Sequence, residues 1–398
     1  VLTEEDRLRA HRAQGRKLVG TMKDLGTVPV LAYALPNLVA FYPDGSWWTP
    51  CWMECSDGLF QVADRLGIDE SFCPVRAMLG AFVTRAHFPL PDFLVCSVGA
   101  VCDDFTAIAQ RLESLGHPIF WWEMPRRRKP DPDEAAVVLP GGMVAPRVQV
   151  DLVSAELARV RRALESLAGR PLDDATLAEG IRHANAVRRR ITRLRQTVFQ
   201  ASVCPLPALE MLLVDALAIH YCSDRAETIA VLDELQAEVN RRVAQGEGVL
   251  SPEAVRLYWV NPVADLRLMN LVEEWGGRIC GADYLFGHAL VEIPEELPPL
   301  EALARVALAD PMVGSAEDRA GQVASEVLGL GIEGLVVSRI PGASHCAHEG
   351  AYLREEVARR AAAPAVEIEV PPLCDGLEAA LHSRLQALLE TVQSRRAT

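Results

Sequence analysis

Short apolar runs alternate along this chain with segments whose apolar residues recur every third or fourth position, and the alternation sets the predicted elements. Residues 1–25 spread charge around every side and close near a glycine, which predicts a helix. TVPVLAYAL (27–35) is an apolar run that predicts a strand. FYPDGSWWTPCWMEC (41–55) is rich in turn formers and tryptophan. SDGLFQVADRLG (56–67) predicts a helix capped by Ser56 or Asp57. FLVCSVG (93–99), DDFTAIAQRLESLG (103–116) and PIFWWEMP (118–125) then predict strand, helix and strand, the signature of a parallel α/β sheet. RRRKPDPDEAA (126–136) and LPGGMVAP (139–146) predict loop.

From Val150 to Gln245 the period becomes helical throughout. DLVSAELARVRRALESLAG, DDATLAEGIRHANAVRRRITRLRQTVFQ, PLPALEMLLVDALAIHYC and DRAETIAVLDELQAEVNRRVAQG follow one another with few strand candidates between them. The alternation resumes with VRLYWVNP as strand, LRLMNLVEEWGG as helix, GLVVSRIP as strand, GAYLREEVARRAA as helix and VEIEVPP as strand. The expected domains are therefore an N-terminal helix (1–25), a first α/β domain (26–149), a helical segment (150–249) and a second α/β domain (250–398). The two α/β halves echo each other: each has strand, small-residue turn holding a cysteine, helix, strand and proline. In open parallel sheets ligands collect beyond the carboxyl ends of the strands, so Cys102 and Cys346 are expected at equivalent positions on facing domains.

Composition narrows the function classes. A chain of 398 residues can bury two or three cores, and its hydrophobic and charged fractions are ordinary for a globular protein. The formal charge of −14 disfavours nucleic acid as a partner. Two local basic runs, Arg126–Lys129 and Arg188–Arg190 with Arg193 and Arg195, read either as solvated faces or as a seat for a phosphorylated ligand such as coenzyme A. No apolar run approaches the roughly 20 residues of a membrane span, and the polar N-terminus lacks a signal-peptide core, so a cytoplasmic protein without a membrane partner is expected. Ten cysteines without such a signal argue against a disulfide framework. Neither GxxxxGK(S/T) nor a clean GxGxxG occurs, so ATP hydrolysis is assigned to a separate partner.

The chemistry rests on Cys73 in SFCPVRAM, Cys102 in GAVCDDF and Cys346 in GASHCAHEG. None belongs to a CxxC pair, and each lies in a turn flanked by Gly, Pro or Ser. Three dispersed thiolates suit an iron–sulfur cluster with one iron open to other chemistry better than a structural zinc site, which favours close pairs. Pro74 starts a helix after Cys73, where the helix dipole favours a thiolate. Asp103 and Asp104 offer a cap for the helix after Cys102. His345 and His348 beside Cys346 read as plain surface residues, as metal ligands, or, better suited to a reductive site, as proton donors. Trp47, Trp48 and Trp52 read as core or lid, and Trp121 and Trp122 as packing. Cys204, Cys222, Cys280 and Cys374 read as structural thiols in helical or domain-packing contexts.

FCPVRAMLG around Cys73, the strand followed by Cys102-Asp103, the late strand and turn with Cys346, DLRLMNLVEEWGGRICG and HSRLQALLE occur together and in order. In this the chain resembles, over most of its length, the subunits of 2-hydroxyacyl-CoA dehydratases, class I benzoyl-CoA reductases and double-cubane cluster proteins. The resemblance implies an α/β fold of two Rossmann-like parallel-sheet domains facing each other, with a helical insertion between them. It implies one oxygen-sensitive [4Fe-4S] cluster on Cys73, Cys102 and Cys346, and a homo- or heterodimer of similar subunits. It also implies single low-potential electrons from an ATP-hydrolysing iron–sulfur activator, forming a ketyl radical on an acyl-CoA thioester for dehydration or ring reduction. One departure stands out. ALPNLVAFYPDGSWWTPCW (34–52) lacks the acidic pair that many members carry after the first strand, which puts a standard dehydratase pocket in question. Cys51, Cys55 and Cys96 would bring the ligand set to the six that a double-cubane [8Fe-9S] cluster needs, in a reductase of small molecules, although Cys96 lies inside a predicted strand. A non-catalytic electron-relay or scaffold subunit is the third reading.

Overall fold

The computed structural model describes all residues except 1, 2, 24, 25, 44–56, 221–223, 284, 373, 374 and 398, and leaves out the side chains of 57, 219, 220, 285, 345–347 and 375 as well. The first half runs α1 (Glu4–Ala13), β1 (Lys17–Met22), α2 (Val28–Tyr33), β2 (Leu38–Phe41), α3 (Asp57–Arg65), a 3₁₀ turn (Pro74–Arg76) leading into α4 (Ala77–Thr84), β3 (Phe93–Gly99), α5 (Asp103–Ser114) and β4 (Ile119–Met124). A hairpin of β5 (Ala136–Val138) and β6 (Val144–Pro146) leads into a helical layer of α6 (Arg147–Ala168), α7 (Asp174–Gln200), α8 (Ala208–Asp215), α9 (Leu217–His220) and α10 (Arg225–Gln245). The second half comprises β7 (Val255–Val260), α11 (Arg267–Glu274), β8 (Gly277–Asp283), α12 (Leu285–His288), α13 (Pro299–Ala309), α14 (Ala316–Gly329), β9 (Gly334–Arg339), α15 (His345–Ala361), β10 (Ala365–Glu369) and α16 (Glu378–Arg396).

Several local expectations are corrected. The first strand is Lys17–Met22, not the apolar run 27–35, because Gly15 at φ 80 ends α1 early. The run 27–35 contains α2, buried on every side, with Pro29 in its first turn. A short run of apolar residues has no readable period when every face is buried. The segment 139–146, expected as loop, contains β6, and Cys280 lies in strand β8.

Every strand pair in the two four-stranded sheets is parallel. Their orders are β2-β1-β3-β4 and β8-β7-β9-β10, the same second-first-third-fourth arrangement in each half. The correspondence reaches individual residues. Ser97 and Ser338 are each the fifth residue of the third strand, and their hydroxyls lie 3.2 Å from the carbonyl oxygens of Lys23 and Asn261. Lys23 and Asn261 each follow the first strand with left-handed backbone, at φ 59 and φ 71. Their side chains donate back to the third-strand segment: Lys23 Nζ to the Gly99 carbonyl at 3.2 Å, and Asn261 Nδ2 to the Ser338 carbonyl at 3.1 Å. Strands one and three flank the point where chain direction reverses, and beyond their carboxyl ends lies the crevice where such sheets hold ligands.

The helical layer ties the halves together. Arg188 on α7 is fully buried, donating to the Val291 carbonyl at 2.7 Å in the second half and to the Gly26 carbonyl at 2.9 Å in the first. Helix α6 packs along α13, and α7 packs against α2.

Candidate functional site

Each of the three cysteine segments begins a helical stretch. Cys73 is the residue before the 3₁₀ turn and is buried. Arg76 fixes that turn, donating to Asp64 Oδ1 at 2.5 Å and to the Phe60 and Ile68 carbonyls at 3.2 Å, with its guanidinium over the Phe60 ring. Cys102 precedes α5. The turn leading to it is tightly constrained: at Gly99, φ 102, any Cβ would run into the Met124 carbonyl oxygen. Val101 stands at φ 87, a conformation that costs a β-branched residue about 1–3 kcal/mol and that recurs where a site dictates the backbone. Cys346 lies in the first turn of α15, and its side chain and that of His345 are outside the described residues. Helix starts leave backbone N–H groups facing outward, a setting that favours anionic sulfur.

The three segments meet where the two halves touch. Gly342, φ 74, packs so closely that a Cβ would stand 2.6 Å from the Phe72 carbonyl carbon and 2.7 Å from the Ser71 oxygen, directly beside Cys73. The Ser344 N–H donates to Asp104 Oδ2 at 2.9 Å, and the Cys102 thiol lies 3.6 Å from the same oxygen. The 3₁₀ turn after Cys73 packs on α5. Lys23, buried at the end of β1, also donates to Thr106 Oγ1 at 3.0 Å in α5. Burial pulls its ammonium below the usual lysine range, while Cys96, Cys102 and Asp103 pull the other way.

The other predicted residues divide. Cys51 and Cys55 lie outside the described residues. Cys96 is fully buried in β3, its thiol donating toward the Ser97 carbonyl, and burial pushes it up to about 12 with Lys23 opposing. Its counterpart in β9, just before Ser338, is the core residue Val337. His348 is exposed on the first turns of α15. Among the described residues no three or more His, Cys, Asp and Glu side chains are grouped to hold a metal ion. The thiols of Cys73 and Cys102, at helix starts joined to the Cys346 segment, nonetheless suit a thiolate-ligated group.

The family model for the D-component of 2-hydroxyglutaryl-CoA dehydratase matches residues 30–392. The chain belongs to that family. No curated protein matches it. The match takes in both sheets except β1, together with the helical layer and all three cysteine segments.

In this D-component family member most arginines of the two basic runs, read either as solvated faces or as a phosphate seat, are engaged within the fold. Arg127 is buried against the Leu308 and Asp310 carbonyls and Asp318. Arg128 pairs with Glu134, Arg189 with Glu292 and Glu295, Arg190 with Asp233, and Arg195 with Asp215. Arg126, half exposed, reaches Glu349 at 3.1 Å.

Glu349 also accepts from Arg319 at 3.0 Å, which opens onto a buried network that sequence reasoning missed. Arg319 bonds Asp283 and Asn261, and His288 lies between Asp283 at 2.7 Å and Asp310 at 3.3 Å. Burial alone would lower the His288 imidazole, but the Asp310 and Asp283 carboxylates outweigh it and push it up to about 10. Asp283 is held well below the usual carboxylate range, since Arg319 and His288 overcome its burial. These residues are scattered from 261 to 349, so no local motif announces them.

Proposed function

We propose that the chain is the iron–sulfur subunit of an acyl-CoA dehydratase or reductase driven by low-potential electrons, with Cys73, Cys102 and Cys346 holding one [4Fe-4S] cluster. The observation that carries this reading is the meeting of the three cysteine segments, through Gly342 against Ser71–Phe72 and Ser344 on Asp104. When bound, such a cluster supplies single electrons to an acyl thioester. The chain's residues would do the rest. Lys23 braces the turn before Cys102. His348, with His345 near it in sequence, is the candidate proton donor on the α15 side. The coenzyme A thioester follows from the family's printed description, as does a second component; electrons would come from an ATP-hydrolysing activator.

Cys96 lies inside β3, where its counterpart in the other half is the core residue Val337; read as a structural thiol, it favours one cubane over a double cubane. Iron and acid-labile sulfide per chain on anaerobically purified protein, with EPR of the dithionite-reduced sample, test the proposal. About four irons per chain and a cubane signal are expected. About eight would move the assignment to a double cubane with Cys51 and Cys55. A protein without iron would sink it.

A further inference from the structure

We infer that Asp104 is a positioning residue that couples the two halves at the thiol site, holding the start of α15 against the Cys102 turn. For the cluster this rests on the function proposed above; the coupling itself rests on the geometry alone. Asp103 and Asp104 are adjacent, yet only Asp104 turns inward: it is 6% exposed, while Asp103 is exposed. Both acids stand in the first turn of α5, whose N-cap residue Cys102 makes no side-chain cap of its own. Asp104 caps a different helix.

The N-cap residue of α15 is Ser344, whose own side chain makes no capping bond. In an ordinary capping box the residue three places on supplies a carboxylate to the N-cap N–H. Here that place is Ala347, and the carboxylate comes instead from α5 in the opposite half, 2.9 Å from the Ser344 nitrogen. The same oxygen lies 3.6 Å from the Cys102 sulfur. One atom therefore fixes the spacing between a turn ending in Cys102 and a helix whose second residue is Cys346. Asp104 also places a carboxylate oxygen beside the Cys102 sulfur, so it bears on the potential of any cluster held there.

Asp104→Ala and Asp104→Asn separate these effects, with Asp104→Ser in place of alanine should that variant fail to fold. In metal-free protein, hydrogen exchange over residues 341–348 should run about tenfold faster in the alanine variant, which loses a charge-assisted acceptor, and stay near wild type in the asparagine variant, which keeps an acceptor oxygen. After anaerobic reconstitution, the alanine variant should retain less than half the wild-type iron. The asparagine variant should load normally with a more positive midpoint potential. Exchange and iron retention unchanged in the alanine variant would overturn the inference. If wild-type protein takes up no iron, the cluster reading falls, and exchange in the metal-free variants still decides the coupling.

Discussion

Glu273 in α11 is a buried carboxylate that forms no ion pair among the described residues; it accepts from the Ala208 N–H at 3.2 Å and the Ile279 N–H at 3.4 Å. Burial pushes it up to about 7 from 4.5, with the two N–H groups acting against that rise. Because the folded value is raised, its favourable contribution is complete below pH 4.5 and is lost as pH climbs through 7. The loss amounts to about 3 kcal/mol once the carboxylate must ionise inside the fold. Glu273→Gln removes the ionisation. Urea unfolding at pH 5 and pH 8 should therefore show the variant gaining up to about 3 kcal/mol on wild type across that interval; a constant difference would refute the argument. A sequence shows Glu273 only as one acidic residue on an amphipathic helix. Its burial depends on β8, which follows directly, and on α8, which packs there from some sixty residues upstream.

At the level of elements, the strands and helices around the cysteines were readable because amphipathic period and turn residues are local. FLVCSVG, DDFTAIAQRLESLG and PIFWWEMP became β3, α5 and β4, and GLVVSRIP and VEIEVPP became β9 and β10. Strand β1 and helix α2 were exchanged in the reading, since a fully buried segment carries no polar face to report its period. The turns between elements hold information that composition alone does not convey. Gly342 looks like an ordinary turn glycine, yet its absent Cβ is what lets the α15 segment lie on Ser71–Phe72. In Gly342→Ala the added methyl meets backbone, and φ 74 is itself unfavourable for alanine, so the two segments must part. The expected result is a protein that folds with a loss of about 1–3 kcal/mol and retains clearly less reconstituted iron than wild type. Calorimetry and iron analysis on the same samples check both.

On the scale of the whole molecule, the two halves share one strand order and touch through the cysteine segments. One apolar core runs through both halves and the helical layer, and buried polar ties add to it. Arg188 is one: its guanidinium caps carbonyls from both halves. Arg188→Met keeps much of the volume but strands the Val291 and Gly26 oxygens, at about 1–3 kcal/mol each. The variant should lose about 2–5 kcal/mol in urea unfolding and become more sensitive to limited proteolysis between the halves. Equal stability and equal cleavage would show that the halves are held by apolar packing alone. Among the described residues no helix is long and apolar enough to cross a membrane.

The sequence by itself determined the parallel α/β character of both halves, the helical layer between them, the internal echo and the candidate thiols. All of these are written in hydrophobic period, turn residues and short spacings, which act over one element and its neighbours. Only the tertiary structure decided the strand order, the burial of Cys96, the engagement of the arginine runs by carboxylates and carbonyls, the Arg319–Asp283–His288 network and the reach of Asp104 to Ser344. Each of these joins residues that are far apart in the chain, or depends on what lies across a packed interface. A local pattern specifies which face is apolar, whereas the partner that covers it is chosen when the whole chain closes on itself.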